Sequence, residues 1–103
     1  MTYKPLPSCL TIRTSGIEGL GLFAVEDISV GTNLGISHIV DPRYEDGHIR
    51  TPLGGFYNHS ENPNCVTYKL HDEALGPIVS LVTVRDIKAG EELTSHYQLY
   101  QIG

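Results

Sequence analysis

The sequence predicts a mostly β protein built of several small sheets wrapped around one core. Three observations carry that expectation. Eleven glycines and six prolines, spread along 103 residues, leave little room for long helices. Short β-branched and apolar runs alternate with turn-forming residues. A ten-residue pattern, Val-x-Asp-Ile-x-x-Gly-x-x-Leu, occurs twice, at 25–34 and 84–93. Each copy reads as the end of one strand, an isoleucine plugging the core, a glycine permitting a turn with positive φ, and a leucine opening the next strand.

The elements follow in order. Strands are expected at Leu10–Arg13, Gly21–Val25, Asn33–Val40, Val66–His71, Pro77–Thr83 and Glu92–Ser95, and Phe56–His59 has room for one helical turn. The clearest extended run is Val79 to Arg85, β-branched and mostly apolar. Residues 41–55 are polar, contain two prolines and close on two glycines, so they read as a surface loop. Tyr68 is expected to pack.

Size and composition bound the answer. A chain of 103 residues is read as one domain, residues 1–103, with 40% hydrophobic and 18% charged residues. No apolar run approaches a membrane span, and Met1-Thr2-Tyr3-Lys4-Pro5 has no apolar signal-peptide core; a soluble intracellular protein is expected. Cys9 and Cys65 form no Cys-x-x-Cys pattern and are read as free thiols. The five histidines show no zinc-ligand spacing, so no metal site is expected. The net charge of −5, with seven dispersed basic residues, disfavours direct nucleic-acid binding and suits a basic protein or peptide partner.

Two segments carry the chemistry: Asn58-His59-Ser60-Glu61-Asn62-Pro63-Asn64-Cys65, and Gly90-Glu91-Glu92-Leu93-Thr94-Ser95-His96-Tyr97. A third, Gly19-Leu20-Gly21-Leu22-Phe23-Ala24, precedes them. Taken singly, each has a plain reading as a turn or a solvated loop. In this order and spacing they resemble the signature of the SET-domain protein-lysine methyltransferases, over roughly residues 12 to 97.

The resemblance implies a minimal SET fold: several small curved sheets and a C-terminal pseudoknot that brings Asn58 and His59 beside Tyr97. It implies transfer of a methyl group from S-adenosyl-L-methionine to a lysine side chain of a protein. Tyr97 matches the active-site tyrosine. Gly19, Leu20 and Gly21 match the backbone segment at the methionine end of the cofactor, with glycine needed for close approach. Asn58 matches the cofactor-bonding asparagine, and His59 the histidine beside the adenine, acting mostly through its backbone. Tyr57 and Tyr100 are candidates for the substrate channel.

Two departures qualify the match. Ser95 and His96 stand where many relatives carry an aromatic residue and an acid, and the sequence ends at Gly103 without the flanking segment that closes the channel in many relatives. The alternative is a SET-like module that binds cofactor or peptide without turnover. Tyr97 to Ile102 alternate apolar and polar side chains. That face either packs within its own subunit or completes the site in a homodimer.

Overall fold

The computed structural model describes residues 6–43 and 47–95. Eight strands and one short helix form two four-stranded sheets around a common core. The strands are β1 (Leu10–Thr14), β2 (Leu20–Ala24), β3 (Asn33–Val40), β4 (His48–Arg50), β5 (Asn58–His59), β6 (Cys65–Asp72), β7 (Gly76–Thr83) and β8 (Glu92–Ser95). The helix, α1, spans Pro52–Phe56. One sheet runs β1-β2-β8-β5 and the other β4-β3-β7-β6.

The sequence repeat explains this order. Hairpins β1–β2 and β6–β7 are both antiparallel. Each is followed by one copy of the repeat, which delivers a further strand. That strand crosses to the opposite hairpin: β3 pairs with β7, and β8 pairs with β2. The two three-stranded units thus exchange their third strands.

The crossing is held by a local two-fold. Ile28 and Ile87 form an antiparallel bridge, with N–H to O distances of 2.7 and 2.8 Å. The bonds around it occur in matched pairs. Gly31 N–H donates to Thr83 O at 2.9 Å, and Gly90 N–H to Ala24 O at 2.7 Å. Val30 N–H donates to Asp86 Oδ1 and Ala89 N–H to Asp27 Oδ1, both at 2.9 Å. Gly31 and Gly90 sit at φ +81° and +92°, where a Cβ is disfavoured. Ile28, Leu34, Ile87 and Leu93, the repeat's four apolar positions, are all buried and join Leu10, Leu22, Leu53, Cys65 and Leu81 in the core.

Several expectations need correction. The supposed loop at 41–55 contains β4 and α1. Thr51 caps the helix, its Oγ1 accepting from Gly54 N–H at 3.3 Å, and Pro52 fits the first turn, where a missing N–H costs nothing. Leu53 is driven into the core at 2% exposure. The helical turn therefore lies before Phe56–His59, and Asn58–His59 is a strand. Tyr68 does not pack: it is 55% exposed on β6, an edge strand. The extended run ends at Thr83, because Val84 and Arg85 enter the second repeat turn.

Both cysteines are free thiols. Burial pushes the Cys65 thiol up to about 12, and burial also raises that of Cys9. Among the described residues, no helix is long and apolar enough to cross a membrane.

Candidate functional site

The fold joins the three sequence blocks at one edge. β8 lies between β2 and β5, pairing antiparallel with the first and parallel with the second. In the parallel register Asn58 lies opposite Thr94 and His59 opposite Ser95, and Ser60 N–H donates to Ser95 O at 3.2 Å. Asn58-His59 is thereby fixed beside the last described residues of β8. Tyr97, Tyr100 and His96, and the segment Tyr97 to Ile102 considered for dimerisation, lie outside the described residues.

Asn64 clasps this arrangement. It is 2% exposed, and its side-chain amide bonds β8 as a neighbouring strand would. Nδ2 donates to Glu92 O at 2.9 Å, and Oδ1 accepts from Thr94 N–H at 2.8 Å. Its own carbonyl accepts from Val84 N–H at 2.9 Å, tying the clasp to the second repeat.

Asn58 is 6% exposed, and its amide is directed into the chain. Nδ2 lies within donating distance of Glu92 Oε2 (2.8 Å), Ser15 Oγ (3.0 Å), Glu18 O (3.1 Å) and Leu20 O (3.3 Å). Ser15 Oγ–H donates to the same carboxylate at 2.8 Å, and accepts from the N–H groups of Ile17 and Glu18 at 2.9 and 3.3 Å. Ser15, Asn58 and Glu92 therefore pin the Gly16–Leu20 turn to β5 and β8. Fully satisfied networks of this kind hold one geometry, since any member left unpaired would be costly.

This geometry revises the reason for the glycines. A Cβ on Gly21 would overlap Glu92 Oε2 and lie 2.9 Å from Glu92 Cδ. Gly21 is thus required by the protein's own carboxylate, and not by the approach of a cofactor. Gly19 is different: its φ of +49° favours glycine, and a Cβ there would meet nothing within 4 Å. Beside it, Ile17 and Leu20 are 54% and 52% exposed.

His59 is half-exposed, with Nε2 3.4 Å from Glu61 Oε1. Tyr57 is 6% exposed within the core, so the structure seats its ring among packed side chains. Glu92 and Ser15 are the residues that sequence reasoning missed. Glu92 was hidden in a Gly-Glu-Glu run that reads as a solvated turn. Its only signal was the repeat, which makes it the counterpart of Asn33 at the first position of a strand that crosses to the other hairpin. Among the described residues, no group of three or more His, Cys, Asp or Glu is placed to hold a metal ion.

Comparison with known proteins agrees with the geometry. Among curated sequences, the N-lysine methyltransferase KMT5A-A of Xenopus laevis is 42% identical over 64 residues, 62% of this chain and 18% of that protein. The histone-lysine N-methyltransferase met-2 of Caenorhabditis elegans is 45% identical over 60 residues, 54% of this chain and 4% of that protein. The chain spans no more than 24% of the length of the curated relatives it matches. Among solved structures, a candidate histone methyltransferase of Plasmodium falciparum superposes with a TM-score of 0.71 at 22% identity, covering 88% of this chain and 94% of that one. At that identity the likeness concerns the fold alone. The SET domain family model matches residues 36–98, more than half of the sequence, and on that match the chain belongs to the SET-domain family.

Proposed function

We propose that this protein transfers a methyl group from S-adenosyl-L-methionine to a lysine side chain of a basic protein or peptide. The observation that carries the reading is the parallel register of β5 and β8. It fixes Asn58-His59 beside the strand whose sequence continues into Tyr97. Family membership and the methyltransferase names of the relatives support the same reading.

The residues present fit the cofactor's chemistry. An open, apolar face at Gly19, flanked by exposed Ile17 and Leu20 and backed by a fixed polar network, suits a ligand with both apolar and polar parts. In this reading the backbone of Gly19 and Leu20 and that of His59 hold the cofactor, and Asn58 keeps the Gly16–Leu20 turn in place. Gly21 serves by admitting Glu92. When bound, the cofactor supplies a methyl group activated on a sulfonium.

The chain's task is to present a neutral amine in line with that methyl. A free lysine titrates near ~10.4, and an apolar channel favours its uncharged form. Alignment and exclusion of water then supply most of the remaining acceleration. Tyr97 is assigned the orienting hydroxyl, through contacts worth roughly 0.5–1 kcal/mol each. The net charge of −5 attracts a basic substrate.

Incubation with labelled cofactor and basic proteins tests the proposal: label on lysine is expected. Tyr97→Phe should bind cofactor normally by calorimetry while losing most of the transfer rate. A second reading, a binding module without turnover, is favoured by the inward commitment of the Asn58 amide. Cofactor binding with no transfer to any basic protein would select it.

A further inference from the structure

The two copies of the repeat are nearly identical at their buried positions and complementary at their exposed ones. Gly31 N–H bonds Thr83 O at 2.9 Å, which brings exposed Val30 beside Val84 and Arg85. At the other end of the local two-fold, Gly90 N–H bonds Ala24 O at 2.7 Å, which brings exposed Ala89 beside Val25 and Glu26. Val25 and Val84, equivalent in the repeat, are 45% and 44% exposed, and Val30 is 56% exposed. Where one copy has Glu26 the other has Arg85, and where one has Val30 the other has Ala89.

Among the described residues, neither Glu26 nor Arg85 takes part in an ion pair. The charges between them are already engaged. Lys88 Nζ lies 3.8 Å from Asp27 Oδ2, and the carboxylates of Asp27 and Asp86 accept the N–H groups of Ala89 and Val30. One end of this face is therefore apolar and basic, the other apolar and acidic, with a larger side chain at the basic end and a smaller one at the acidic end.

We propose that this face binds a second copy of the chain. A half-turn about an axis normal to the face sets the basic end of one copy on the acidic end of the other. Arg85 then meets the partner's Glu26, Val30 fills the space left at the partner's Ala89, and Val84 covers the partner's Val25. Every contact is made twice, as a closed two-fold requires. Reciprocal charge and size complementarity favours this occupant over an unrelated partner, because both halves of the match lie in one chain. The face is small, so the dimer is expected in the ~1–100 µM range.

Charge reversal tests it on the intact protein. Sedimentation velocity should show the wild type dimerising. Glu26→Arg and Arg85→Glu should each weaken association at least ~10-fold, since each sets like charges together. Mixing the two variants should restore a dimer containing one of each. One of its two contacts is then the native pair of Arg85 and Glu26, and the other joins the introduced arginine to the introduced glutamate. The double variant should dimerise with itself. Both side chains are exposed, so circular dichroism of the variants should match the wild type. A wild type that stays monomeric at the highest concentration would overturn the proposal. So would a dimer indifferent to either reversal, or a mixture that fails to associate.

Discussion

Asn58 shows how much of a site residue's work is done inward. Its amide holds a turn, a hydroxyl and a carboxylate together, and only its position in the motif was legible from sequence. The partners were not, because Ser15 and Glu92 lie 43 and 34 residues away along the chain. Gly21→Ala should displace the Glu92 carboxylate from both Ser15 and Asn58, costing about 1–3 kcal/mol in urea unfolding. Gly54→Ala should cost about 3 kcal/mol or more, since its Cβ would overlap the Ser37 carbonyl, a backbone atom with no freedom to swing aside. Equal losses at the two glycines would contradict this account. At Cys65, burial raises the thiol from an ordinary 9.0 to about 12, so the folded state holds its proton more tightly than the unfolded chain. That contribution is complete below pH 9 and is lost as pH rises towards about 12. Cys65→Ala should flatten the alkaline limb of the stability profile, read as melting temperature against pH, even though it lowers stability at neutrality by leaving a small cavity.

At the scale of elements, the readable strands were those with enough residues to show a pattern. β3 and β8 matched their expected bounds, and β1, β2, β6 and β7 shifted by one residue at one or both ends. β4, β5 and α1 were not legible, for separate reasons. Pro52-Leu53-Gly54-Gly55 has the composition of a turn, and becomes helical because Thr51 caps it and Leu53 needs the core. Two-residue β5 has no pattern of its own; it exists because β8 lies alongside. Asn64 is the device that makes that adjacency firm. Asn64→Ala should leave Glu92 O and Thr94 N–H buried without their partner, at ~1–3 kcal/mol for each group. Urea unfolding reads that loss directly. Hydrogen exchange should show the Thr94 amide deprotected well beyond its neighbours in β7, and uniform deprotection of both strands would count against a local clasp.

The whole molecule is legible in the sequence only through its repeat. Val-x-Asp-Ile-x-x-Gly-x-x-Leu announced two similar units, but nothing in one copy says that its leucine strand will cross to the other hairpin. Exchange follows from tertiary pairing: β2 and β7 each need a third strand, and the isoleucine bridge sets each one closer to the opposite hairpin. Because the defining contacts are distant along the chain, loop closure must come before most of the gain. Refolding monitored by stopped-flow should take roughly milliseconds to seconds, as for domains dominated by non-local pairing. Complete folding in microseconds would be incompatible with the exchange. The same topology governs events at the ribosome. Chain emerges from its N-terminus, so hairpin β1–β2 appears long before β8, the strand that covers its flank. Until β8 is translated, Leu22 and Phe23 wait on a bare strand edge, open to any other nascent chain. Slowing translation therefore lengthens the vulnerable interval instead of helping each unit fold in turn, and holdase chaperones have most to protect in the first half of the molecule.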